Sequence, residues 1–325
     1  RVYTESQGRE PLREAIAGLY HEVAPEDIVM LGTPVEGIYL AARALLEPGD
    51  EVVVLTPAYD ALVNLFEHIV GAERVHRWRV KPGHADWRLD LDELDELLTV
   101  KTRLLVVNFP HNPTGYLPDS AFQRELIKRT RAKGVRLFCD EMYHGLVNEG
   151  IEPIPSAADA EPSSVVLSGL SKTYGLPGLR SGWLVTRDHA LRDTLMNWKY
   201  YTSICPPVTT EFLTLSALKA REQLRQRSLG IIAGNLERAD AFFARWPGLF
   251  TWRRPRAGST ALVEFHVESV ERLSRRFAED YGVLIQSGRM LGSDDRHMRI
   301  GLGRADFGTA LERFEDCLRQ EFPGR

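Results

Sequence analysis

Ser171-Lys172-Thr173-Tyr174-Gly175-Leu176-Pro177-Gly178-Leu179-Arg180 follows a short apolar run, Val165–Leu167, whose composition predicts a strand. A lysine just past a strand sits at the strand's carboxyl end, where open α/β sheets bind their ligands. Partial burial and nearby cations there depress an amine's pKa, as a lysine that reacts with a carbonyl requires. The plain alternative is a solvated lysine in a glycine-rich loop. Two upstream clusters weigh against it. Asn108-Phe109-Pro110-His111-Asn112-Pro113-Thr114-Gly115 follows the candidate strand Arg103–Asn108, and Asp140-Glu141-Met142-Tyr143 follows Val135–Cys139. Asn-Pro-Thr-Gly alone would make an ordinary β-turn. Three polar clusters after three strands, in order, instead line one crevice.

Outward from this stretch, short β-branched runs alternate with segments of helical period. The remaining candidate strands are Ile28–Met30, Glu51–Leu55, Arg74–Val80 and Gly182–Thr186. Between them lie candidate helices Val35–Leu46, Ala61–Val70, Leu91–Leu98, Ser120–Ala132 and His189–Lys199. Strands apolar throughout, alternating with helices, predict an α/β fold with a mostly parallel seven-stranded sheet covered on both faces. The last third changes character. Helical patterns Thr209–Glu222 and Leu224–Ala244 precede strands at Ala261–His266, Gly282–Gln286 and Met298–Gly301, with helices at Val270–Asp280 and Phe307–Gln320. The expected division is a large domain at 24–223 and a smaller α+β domain at 1–23 and 224–325, enclosing a cleft.

Bulk properties exclude several classes. The 325 residues are 43% hydrophobic and 26% charged, with formal net charge −4 and no long Lys/Arg run, so no nucleic-acid footprint is expected. No apolar run approaches the roughly 20 residues that span a bilayer. Cys139, Cys205 and Cys317 lie far apart and form no CxxC pair, which predicts a reducing cytoplasm. The sequence begins at Arg1 rather than Met, so a preceding segment is expected. There is no GxGxxG after the first strand, against nicotinamide or flavin binding. His111 and His144 lack spaced carboxylate or cysteine partners, so no metal site is expected.

Asn112-Pro113-Thr114-Gly115, Asp140…Tyr143 and Ser171-Lys172…Arg180 together resemble the class I/II aminotransferases, enzymes of pyridoxal-5′-phosphate (PLP) fold type I. Asp140 follows Asn112 by 28 residues, Lys172 follows Asp140 by 32, and Arg180 follows Lys172 by 8, which fits that family. Within it, Tyr3-Thr4-Glu5-Ser6, Asn108–Gly115 and Tyr201-Thr202-Ser203-Ile204-Cys205 resemble relatives of capreomycidine synthases and arginine-modifying enzymes.

The resemblance implies roles. Lys172 carries the cofactor as a Schiff base and relays the substrate's proton. Asp140 faces the pyridine nitrogen and keeps it protonated. Asn112 and Tyr143 hydrogen-bond the phenolic oxygen, and Tyr59 stacks on the ring unless it is simply a packed strand-end tyrosine. Ser171 and Arg180 hold the phosphate with the helix start at Gly32–Gly37, where the Val35 and Glu36 amides donate. Thr33, Pro34 and Glu36 read as N-cap, N1 and the far side of a capping box. Pro34 lacks an N–H, Glu36 is acidic and Gly169 stands where the family often has serine; all three lighten the expected grip. Tyr3 reaches the phosphate of a neighbouring subunit's cofactor in a homodimer, or packs on its own subunit. Arg299 binds the substrate carboxylate, with Arg304 its neighbouring competitor.

These roles imply transamination of an L-amino acid with a 2-oxo acid. The alternative is a PLP-dependent oxidase, lyase or cyclase acting on an amino acid such as an arginine derivative. A non-enzymatic PLP-binding domain is disfavoured by the complete Lys172, Asp140, Asn112 and Arg180 set.

Overall fold

The computed structural model describes residues 3–323. In the strand Glu51–Thr56, Val53 and Leu55 face one apolar cluster while Val52 and Val54 face another. Thr102–Asn108 divides the same way, with Leu105 and Val107 opposite Leu104 and Val106. A strand with two apolar faces is stable only in a sheet covered on both sides.

All seven strands expected in the first two-thirds join one sheet. Its spatial order is Ile28–Leu31, Gly182–Val185, Val165–Gly169, Arg136–Asp140, Thr102–Asn108, Glu51–Thr56 and Val75–Arg79. Gly182–Val185 alone runs antiparallel to its neighbours. Register sets Asn108 opposite Asp140 and Asp140 opposite Leu167, so three adjacent strands end level with one another.

Helices Ala61–Val70, Ser120–Ala132 and His189–Lys199 have the expected ends. Side-chain caps fix all three starts: Asp60 accepts from the Ala61 N–H, Asp119 from the Phe122 N–H and Asp188 from the Leu191 N–H. Helix Pro34–Leu45 approaches the sheet closely, because Gly37 has no side chain to hold it off. A Cβ there would stand 2.8 Å from both Leu31 and Leu167.

A second apolar cluster, rich in phenylalanine (Phe242, Phe250, Phe265, Phe277 and Phe314), lies under helices Arg221–Arg245, Val270–Tyr281 and Phe307–Glu321. These pack on a four-stranded antiparallel sheet ordered Phe250–Thr251, Thr260–Phe265, His297–Gly301, Gln286–Ser287.

Three expectations differ from the packing. The segment expected with the small domain, 1–23, contains helix Glu10–Ala17. Its Leu12 and Ile16 join the large sheet's cluster beside Ile28 and Met30, because that is the nearest apolar face. Gly282–Gln286 is a strand only at its end. Gly282 takes a left-handed conformation, φ 65°, and its N–H closes the helix Val270–Tyr281 on the Ala278 carbonyl. Helix Arg221–Arg245 also runs unbroken across the expected boundary at 223/224. Among the described residues no helix is long and apolar enough to cross a membrane.

Candidate active site

The level strand ends build a cavity of about 300 Å³. Lys172, Asp140, Tyr143, Asn112 and Tyr59 line it, together with Ser171, Arg180, Val35 and Arg299. These nine residues, all singled out in the sequence, thus converge from seven separate segments. Tyr3 does not: it is 83% exposed, and the adjoining Thr4 hydroxyl donates to the Pro206 carbonyl at 3.0 Å. A further lobe of about 390 Å³ shares Tyr143, Ser171, Lys172, Pro177 and Arg299 and extends toward Arg304 and Ser228. Arg304 is instead held by a bidentate pair with Asp306 at 2.9 and 2.8 Å.

Asn108 organises the floor, a role the sequence did not assign to it. Its amide donates to the Asp140 carbonyl and its side-chain oxygen accepts from the Asn112 N–H, both at 2.7 Å. The signal was its place at the end of an otherwise apolar strand. Ile38, Met142, Leu167 and Pro177 complete the wall. Apolar side chains at strand and helix ends carry no sequence mark of a site.

Asp140 accepts from the Met142 N–H at 3.0 Å. Burial pushes its carboxyl up to about 7, with Glu141 adding and the Met142 N–H and Lys172 opposing. Burial also lowers the Lys172 amine below the ordinary lysine range; Arg299 and Arg180 add to this and Asp140 opposes it. Tyr143 is raised, chiefly by burial, and Arg299 is lowered for the same reason. Arg299 donates to the Asn112 side-chain oxygen at 3.3 Å. His111 is buried with its Nδ1 2.7 Å from the Thr114 hydroxyl, and burial lowers its pKa to about 3.

The expected capping box is rearranged. The Thr33 side chain makes no cap bond; it accepts from the Arg180 guanidinium instead. Arg180 reaches it from a left-handed backbone, φ 49°. Glu36 turns away from the cavity, accepting from the Gly32 N–H at 2.7 Å and from the Thr202 hydroxyl. Its charge is thereby spent on the loop rather than on the cavity. Pro34 packs on Gly182, whose Cβ would stand 2.9 Å from the proline ring. A side chain at Gly169 would collide with the Ser181 carbonyl at 2.6 Å, so this backbone has no room for the serine often found there.

The donor set is unbalanced. The Ser171 hydroxyl is buried without a hydrogen-bond partner. Among the described residues the Lys172 side chain makes no hydrogen bond or ion pair, and neither Arg180 nor Arg299 has a carboxylate partner. Cationic and hydroxyl donors at one end, with a buried carboxylate at the other, fit a phosphorylated ring that carries a protonated nitrogen.

Residues 1–313 match the family model of aminotransferase class I and II. Capreomycidine synthase of Streptomyces vinaceus is 35% identical over 325 residues, covering 98% of this chain and 82% of that protein. Arginine–pyruvate transaminase AruH of Pseudomonas aeruginosa is 29% identical, again covering 98% and 82%. A PLP-dependent aminotransferase from Streptococcus suis has the same fold, with TM-score 0.90, 27% identity and coverage of 98% of this chain and 84% of that one. The PLP-dependent cyclase OrfR matches with TM-score 0.88 and 29% identity, over 99% and 86%. The chain belongs to the class I and II aminotransferase family of PLP enzymes.

Proposed function

We propose that the protein moves the amino group of an L-amino acid to a 2-oxo acid, with Lys172 as the cofactor-binding lysine. The convergence of Lys172, Asp140, Asn112, Tyr143, Arg180 and Arg299 on one cavity carries this reading. PLP, when bound, supplies the electron sink that lets an amino acid lose its α-proton. Asp140 would hold the proton of the cofactor's ring nitrogen, Asn112 and Tyr143 would bond its phenolic oxygen, and Tyr59 would pack against the ring. Ser171, Arg180 and the Val35 amide bind the phosphate. Arg299 orients the substrate through its carboxylate, and Lys172 Nζ takes the proton from the α-carbon. Burial and two nearby cations, Arg299 and Arg180, hold that amine below the ordinary lysine range, which favours its acting as a base.

The active unit is a homodimer. Tyr201 and Phe212 are 86% and 64% exposed, and Tyr200, Ile204, Val208 and Leu213 extend the same apolar surface beside the N-terminal segment. Tyr3 belongs to that surface and reaches the partner's phosphate site. The domain division we propose runs the large domain from 24 to the start of helix Arg221–Arg245 and adds the helix Glu10–Ala17 to it, as its Leu12 and Ile16 pack on that domain's cluster. Three free cysteines support a cytoplasmic location.

The test is an amino-donor screen. Enzyme saturated with PLP should lose its visible absorbance with the right donor and regain it with a 2-oxo acid. No change with any of the common amino acids would refute transamination. The relatives capreomycidine synthase and OrfR favour a second reading, cyclisation of an arginine derivative. In that case product forms without consumption of a 2-oxo acid. Oxygen consumption or ammonia release would mark the oxidase and lyase variants.

A further inference from the structure

Strand His297–Gly301 carries Arg299, and alternate residues share its faces. Met298 faces the small domain's phenylalanine cluster. The opposite face carries His297 and Arg299, with Leu262 and Glu264 beside them on the paired strand. Leu262 belongs to the large domain's apolar cluster, so this face is the one that docks across the cleft.

What it docks on is a hairpin, Lys81–Pro82 with Trp87–Arg88, that projects from the large domain. Trp87 is only 5% exposed. Its ring lies 5.9 Å from that of His297, and the Arg253 guanidinium sits 5.4 Å above its centroid. Arg253 also donates to the Gly83 carbonyl at 3.3 Å and pairs with Glu264 at 3.6 Å. Arg256 meets Asp86 at the hairpin's tip. The Trp87 indole N–H has no hydrogen-bond partner, so the indole grips through its ring, by packing and the Arg253 cation above it. Shortening it removes the contact without stranding an acceptor.

We propose that Trp87 is a positioning residue for substrate binding: the hairpin clamps the start of the His297–Gly301 strand and so fixes where Arg299 meets the substrate carboxylate. This rests on Arg299 as the carboxylate site. A lost clamp lets the strand shift while the cofactor site, built on the other sheet, stays in place. Binding of both carboxylate substrates should suffer, and the chemistry once bound should not.

Steady-state kinetics and PLP titration of Trp87→Leu, Trp87→Phe, Arg253→Met and Arg299→Lys test it. Trp87→Leu should raise KM for the amino donor and the 2-oxo acid about tenfold each, with kcat within about twofold. PLP affinity should be unchanged, and Trp87→Phe should restore most of the loss. Arg253→Met loosens the clamp from its other side and should give the same pattern, which keeps the test open if Trp87→Leu does not fold. Unchanged KM in these variants, or a loss falling on kcat and PLP affinity, overturns the proposal. If Arg299→Lys also leaves both KM values unchanged, the reading of Arg299 itself is refuted. If Arg299→Lys raises them while the clamp variants do not, only the clamp is.

Discussion

Replacing Asp140 with asparagine should stabilise the cofactor-free protein at neutral pH even as it abolishes function. Burial lifts the Asp140 carboxyl from 3.8 to about 7. That displacement amounts to about 4 kcal/mol of preference for the neutral form. Because the folded pKa is the raised one, the folded state keeps a proton that the unfolded chain has already lost. Stability is therefore complete below the unfolded value of 3.8 and is lost as pH rises toward 7. The slope over that window is about 1.4 kcal/mol per pH unit. An asparagine is isosteric, still accepts the Met142 N–H through its oxygen, and does not titrate. Urea unfolding of PLP-free wild-type and Asp140→Asn proteins should thus diverge with pH. The gap in unfolding free energy should widen in favour of the variant by roughly 2.5 kcal/mol between about pH 5 and about pH 8. With saturating PLP the order should reverse, since a protonated ring nitrogen gives the carboxylate its missing partner and ligand binding stabilises only the native state. A gap that does not change with pH would refute the reasoning.

Gly37→Ala should force the helix Pro34–Leu45 off the sheet, because the new methyl would lie 2.8 Å from Leu31 and Leu167. Overpacking of this kind costs about 1–3 kcal/mol in urea unfolding; since Pro34 and Val35 ride on that helix, PLP titration should show weaker binding as well. Arg299→Gln removes one of the cations that lower the Lys172 amine, so the pH at which PLP attachment reaches half its maximal rate should move upward; a fixed midpoint would show that Arg299 has no part in setting it.

Much of the large sheet was legible because its inner strands, such as Glu51–Thr56 and Thr102–Asn108, are apolar on both faces and the helices between them carry their own period. Helices Ala61–Val70 and Ser120–Ala132 could be bounded from their helical spacing, and the structure places the side-chain caps Asp60 and Asp119 at those starts. Helix Glu10–Ala17 was not, since its short pattern gains stability only from burying Leu12 and Ile16 against Ile28 and Met30. Gly282 misled for a related reason: whether a glycine ends a helix or begins a strand depends on the backbone sign it adopts.

The sequence by itself determined which chemistry is present. Lys172, Asp140, Asn112, Arg180 and Arg299 are fixed residue types, and the order of the polar clusters after strands already implied a shared rim. Tertiary structure alone decided how the helix start at Thr33 is used. The sequence reads Thr33 and Glu36 as a capping box; in the fold Arg180 claims the threonine and the Gly32–Thr202 pair claims the glutamate. Arg180 and Thr202 lie more than 140 residues from the side chains they bond. A local motif states only what a side chain is able to bond, and the competing donors that long-range packing brings within reach decide what it does bond.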